Sequence, residues 1–111
     1  MNLKLGVKID GIRGPILIAL GLIESVMEET GEYTVTSLLD GKHGPNSFHY
    51  CGHAADLRTR HLGTKEAVET LAAKLRAVLG PDWDVVVEKD HIHLEPSNHW
   101  IAAHGDPRKA A

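Results

Sequence analysis

Apolar residues at Ile16, Leu20, Ile23 and Met27 recur at the spacing of one helical face, joined by Ala19 and Val26. Pro15 suits a first helical position, where its missing N–H costs nothing. Gly31 is a normal stop. The pattern predicts a helix over about 14–30, although Glu28 and Glu29 oppose the helix dipole at its C-terminal end. The period then changes. Tyr33 to Ser37 is β-branched and aromatic and reads as a strand. Asp40 to Asn46 is a loop by its turn chemistry. Ala54 to Arg58 reads as a second strand after Gly52. A second helix follows from a Thr64 cap to about Leu79, with Val68, Leu71, Leu75, Val78 and Leu79 as its stripe. Glu66 near its start, and Lys74 and Arg76 near its end, match the dipole. Gly80-Pro81 ends it. Trp83 to Val87 is a short apolar strand, and His91 to Glu95 alternates as a half-buried one. Pro96-Ser97-Asn98 breaks that strand. From about residue 101 the tail is small and polar and is expected to fray.

The sum is two helices packed on one face of a small, mainly antiparallel sheet of about four strands, an α+β fold. The length of 111 residues fits a single domain. No repeat, linker or low-complexity tract divides it.

Composition narrows the function classes. The formal charge of −3 is spread along the chain, so no basic stripe points to nucleic acid. The longest apolar stretch, Pro15 to Ile23, is too short to span a bilayer. Met1 to Gly6 lacks a signal-peptide layout, which predicts synthesis in a cytoplasm without export by its own signal. The single cysteine, Cys51, excludes an intrachain disulfide. A monomer is expected. Eight histidines change the picture, because histidine is the commonest metal ligand. They concentrate in two segments that a fold can bring together.

The first segment reads Ser47-Phe48-His49-Tyr50-Cys51-Gly52-His53-Ala54-Ala55-Asp56-Leu57-Arg58, and the second Glu88-Lys89-Asp90-His91-Ile92-His93-Leu94-Glu95. Zinc accepts imidazole nitrogen and carboxylate oxygen, and catalytic sites keep a position open beside three protein ligands. His49 and Asp56 are seven residues apart, an odd separation that would put them on opposite faces of an unbroken strand. They share a metal only if the backbone turns between them, and Gly52 is placed to allow it. Asp56 would then project with Ala54 and Arg58, opposite Ala55 and Leu57. On the later strand His91, His93 and Glu95 share the polar face, with Ile92 and Leu94 toward the core. Spacing alone leaves a metal site and a set of solvated histidines about equally open.

The string Ser-x-His-Tyr-x-Gly-x-Ala-x-Asp over Ser47 to Asp56 resembles the core motif of the M15 zinc peptidases. These are D-Ala-D-Ala carboxypeptidases, dipeptidases and phage endolysins, whose metal-binding fold also occurs in hedgehog signalling domains. Asp40-Gly41-Lys42-His43 before it and Glu88 with His91-Ile92-His93 after it are similar to the same superfamily. The likeness spans helix 1 to Glu95, and small phage-encoded members are the nearest in layout. It implies a Zn²⁺ cofactor, with His49 and Asp56 as first and second ligands. The third is His91, if Glu88 to His91 is read as Glu-x-x-His, or His93, if the His-x-His branch applies. The run Asp90 to Glu95 favours His93, leaving His91 as a proton acceptor or substrate contact.

The resemblance further implies hydrolysis of peptide bonds in the peptidoglycan stem peptide. Glu88 or His91 would handle the proton, and His43 would hold the oxyanion. Strand parity alone denies Glu88 the site unless the chain bends at Lys89-Asp90. Several cell-wall members carry an arginine ahead of the first ligand. Here Lys42 and His43 stand in that region, and the nearest upstream arginine is Arg13. The rival is an inert zinc-binding module with a structural or partner-binding role. Release to the wall by a phage lysis system would fit a chain without its own signal. Ser47 or Ser37 is a candidate partner for the ligand histidines. Tyr50 and Trp83 are read as packing residues, Cys51 as a small buried thiol, and His53 and His61 as outer or surface groups. His99 and His104 are assigned no role.

Overall fold

The computed structural model describes residues 1–109. Its elements are β1 (Asn2–Leu3), α1 (Gly14–Glu28), β2 (Thr34–Ser37), β3 (Ala55–Arg58), α2 (Lys65–Leu79), β4 (Trp83–Val87), β5 (His91–Pro96) and α3 (Asn98–His104). The five strands form one sheet in the order β1-β2-β3-β5-β4, antiparallel except for the β1–β2 edge. The fold is α+β, as the periodicity predicts. No described helix is long and apolar enough to cross a membrane.

The two long helices follow from their stripes. Ile16, Ala19, Leu20, Ile23 and Met27 of α1 are buried with Leu71, Ala72, Leu75 and Leu79 of α2. They meet Val35, Ala55, Leu57, Val85, Ile92 and Leu94 from one face of the sheet. Burying a side chain of the Leu or Ile class contributes about 1.5–3 kcal/mol, so this layer fixes where the other sheet face stands. Ala72 joins the buried stripe, whereas Val78 stays 40 % exposed. Thr64 caps α2 by accepting from the Ala67 N–H.

Two elements differ from the sequence reading. Beyond Pro96 the chain forms α3, whose Ser97 hydroxyl accepts from the Trp100 N–H and donates to the Pro81 carbonyl. A serine cap followed by Trp100 and Ile101 is a helix start signal that the small, polar composition hides. Asn2–Leu3 pairs with Thr34 and Val35, too short a segment to show a period of its own.

The connection between β2 and β3 is laced to the segment before α1. The Lys8 N–H donates to Asp40 Oδ1 at 2.9 Å and the Leu39 N–H to the Lys8 carbonyl at 3.2 Å. The Arg13 N–H donates to the Gly52 carbonyl at 3.0 Å.

Candidate metal centre

Alternation places the site. With Ala55, Leu57, Ile92 and Leu94 committed to the core, Asp56 and His93 must face the other way. They stand opposite each other in the β3–β5 register. A register shift between Val35 and Ser37 brings Ser37 opposite Asp56 as well.

His49 arrives from a single 3₁₀ turn, Phe48–Cys51, whose first amides are capped by Ser47. Gly52 ends the turn at φ +77°, a left-handed value. A Cβ there would come 2.3 Å from the Gly11 carbonyl oxygen. Only glycine makes this reversal against Gly11, and the reversal is what lets His49 and Asp56 share one face.

The polar groups converge on Asp56 Oδ1. His49 Nε2 lies 3.1 Å from it, His93 Nδ1 2.8 Å and His91 Nε2 3.6 Å. The second nitrogen of each ring is engaged as well. His49 Nδ1 donates to the Leu38 carbonyl at 2.5 Å, His93 Nε2 meets Glu95 Oε1 at 2.8 Å, and His91 Nδ1 meets Asp90 Oδ1 at 2.6 Å. A metal-ligating histidine characteristically has its other nitrogen fixed by a carbonyl or carboxylate, and all three rings meet that condition.

The charges follow from the contacts. Burial would push the Asp56 carboxyl up, but hydrogen bonds from His49 and His93 override it and hold the group far below the usual carboxylate range. Burial likewise pulls His93 down, while its bonds to Asp56 and Glu95 raise it to about 9. The centre is an ionised carboxylate ringed by imidazoles, a donor set suited to a divalent cation.

His43, His49 and Asp56 each offer a ligand atom within 4.8 Å of the others, close enough to hold a metal ion. His93, expected from the sequence as the third ligand, is not part of that group. Ring orientation bears on which histidine could join His49. The His43 and His49 rings are stacked, with centroids 3.8 Å apart and planes only 11° from parallel. An imidazole lone pair lies in the ring plane, so two stacked rings do not aim at one point without rotation. His49 and His93 are tilted by 54°, so their planes intersect. His43 is also held elsewhere, with Nε2 2.7 Å from the Asp40 carbonyl and 3.3 Å from Ser37 Oγ.

Glu88 lines the same cavity as the ligand candidates, a groove of about 540 Å³ that also includes Lys42, His43, His91 and Glu95. The parity objection is removed by the chain reversal at Lys89-Asp90. The Glu88 N–H donates to the His91 carbonyl at 2.9 Å, so the two residues face each other across a hairpin. Counting along one strand gives the wrong face once the strand has folded back.

Of the two serines read as partners for the ligand rings, Ser47 caps the His49 backbone and Ser37 contacts His43. The partner of the His49 ring is the Leu38 carbonyl. Two residues were missed. The half-exposed Tyr50 accepts from the His43 N–H at 2.8 Å and donates to the His43 carbonyl at 2.9 Å, fixing that loop. Glu95 orients His93, and its place on the histidine face of β5 was signal enough to find it. His61 contacts Thr30 Oγ1, and His53 and His104 pack against Trp100, all away from the groove. No family model matches the chain, and no curated protein or solved structure matches it.

Proposed function

We propose that the groove is a zinc-dependent peptidase centre acting on peptides of the bacterial cell wall, with His49, Asp56 and His93 as ligands. The observation that carries this reading is the paired orientation of two rings. His49 presents Nε2 and His93 presents Nδ1 to the same Asp56 oxygen, each with its second nitrogen anchored. The intersecting planes of these rings favour His93 over His43 as third ligand. The M15-like wording of Ser47 to Asp56 supplies the reaction class and the choice of zinc. The groove is open enough to admit an extended peptide.

When bound, zinc polarises a scissile carbonyl and brings the pKa of water to about 7. The chain's own groups supply the remaining work. Glu88 takes a proton from the attacking water and returns it to the leaving amine. His91, oriented by Asp90, offers Nε2 beside Asp56 as a second proton acceptor. His43, stacked on His49 with its Nε2–H donated to the Asp40 carbonyl, would support the developing oxyanion through Nδ1 as the imidazolium, which carries a second N–H there. Tyr50 holds His43 in place for that role.

The test is digestion of purified cell-wall peptides by the zinc-loaded chain, with chelator as control. Loss of cleavage on chelation is expected, and a zinc-loaded chain that cleaves nothing defeats the peptidase assignment. His93→Ala is expected to lose zinc and cleavage together, read by metal analysis and by peptide assay. Retained zinc would transfer the third position to His43 or His91.

A second reading has one observation in its favour. No arginine lines this groove among the described residues, although Arg58 and Arg60 line an adjoining cavity that shares His43, Asp56 and His91 with it. Arg13 sits at the start of α1, its backbone tied to Gly52. A non-catalytic zinc module with a structural or partner-binding role would need no such cation, and it predicts stoichiometric zinc without peptide turnover.

A further inference from the structure

Helix α1 has a second apolar face that no other described residue covers. Opposite its buried stripe, Leu17, Ile18 and Leu22 are 57 %, 65 % and 49 % exposed. A contiguous apolar surface of this kind marks an interaction site. Gly21 lies among them, and a Cβ on it would meet nothing within 4 Å. Glycine inside a helix costs about 1 kcal/mol relative to alanine, and no close contact among the described residues calls for it. The charges of α1 are also reversed. It has no acidic residue in its first turn and no basic residue in its last. Instead Arg13 stands at the N-terminal end and Glu28 and Glu29 at the C-terminal end, all exposed and opposed to the helix dipole, with Glu29 paired to Lys74 at 3.4 Å.

We propose that α1 packs antiparallel against α1 of a second copy of this chain, about a twofold axis at Gly21. Gly21 is the midpoint of Gly14–Glu28. An antiparallel crossing there buries Leu17 and Ile18 of both copies, with Leu22 at the edge of the contact, and a glycine at the axis lets the helices approach closely. Each Glu28 then meets the N-terminal end of the opposite helix, with its free N–H groups and Arg13. One isologous contact corrects both reversed dipoles. A parallel pairing would instead set the glutamates of one copy beside those of the other. The interface lies in the helix layer, across the sheet from the histidine groove, so it stands independently of the peptidase reading. A single helix pair buries less than a standard interface, which places the dimer in about the micromolar range.

Sedimentation equilibrium of the full chain from about 1 to about 500 μM tests this. A monomer–dimer equilibrium is expected, and Ile18→Glu should raise its Kd at least about tenfold while leaving the circular-dichroism melt unchanged at a concentration well below Kd, where both chains are monomeric. Arg13→Glu and Glu28→Lys should each weaken the dimer, and the double variant should recover it, because antiparallel packing brings the two swapped charges together. A wild-type chain that stays monomeric throughout overturns the proposal and leaves the face to a different partner. So does a dimer insensitive to Ile18→Glu. A double variant no tighter than either single one overturns the antiparallel arrangement.

Discussion

On β5, Ile92 and Leu94 have no exposed surface and press into the helix layer. His93, between them, turns away to Asp56 and Glu95. On β3, Leu57 and Asp56 divide in the same way. One face is held by volume, with every side chain apolar and interchangeable within limits of shape. The other is held by directed contacts, in which both nitrogens of His49, His91 and His93 have polar neighbours and Asp56 Oδ1 is shared among them. The two depend on each other in one direction only. The core face sets the register that brings Asp56 opposite His93, whereas the polar face adds little to the register.

Leu57→Ala should break this asymmetry most strongly. Emptying a fully buried site in a central strand is expected to cost about 2–5 kcal/mol of stability, read by denaturant unfolding. Zinc affinity measured where the variant is still folded should change far less. On the other face, Glu95→Gln keeps shape and removes the charge that holds His93 Nε2. Zinc affinity should fall about 10–100-fold in a competition titration, with the fold intact. An unchanged affinity would mean that His93 does not ligate through Nδ1.

The pH response sharpens the same point. Without metal, His93 keeps its proton up to about 9, and a ligand nitrogen must give that proton up. Its folded pKa lies above the unfolded value of about 6.5, so its contribution to metal-free stability is complete below that pH. That contribution is lost as the pH rises toward about 9. Zinc affinity runs the opposite way, rising by about tenfold per pH unit for one displaced proton and levelling near pH 9. Titrations at several pH values would show it, and a flat profile would argue against His93 as ligand. The smallest effect is expected at Val86, beside His93 on the groove face and 39 % exposed. Val86→Thr should shift stability by less than about 0.5 kcal/mol and leave zinc binding unchanged.

Strand alternation made most of this legible from residues alone. Ala55, Leu57, Ile92 and Leu94 declared the core face, and Asp56 and His93 followed as its opposite. Gly52 was legible because His49 and Asp56 could not otherwise meet. Glu88 was legible only on the condition of a bend at Lys89-Asp90, because parity along a strand inverts at a hairpin. The His43–His49 stack and the Tyr50 clamp join residues of one irregular loop, where no period exists to count. Helix α3 was hidden by its polar composition, although Ser97 carried the start signal. The expectation of a fraying tail from about residue 101 meets a helix that runs to His104.

The contact of Gly52 with Gly11 has a further consequence for how the groove opens. The loop bearing His43 and His49 is fastened to residues 8–13 by Lys8, Arg13 and the glycine pair. It therefore cannot swing as an independent flap. On the hairpin side, Glu88 and His91 flank the turn at Lys89-Asp90, and His91 is also paired to Arg58 of β3. On the proposed metal-site reading, His49 would belong to the stationary frame.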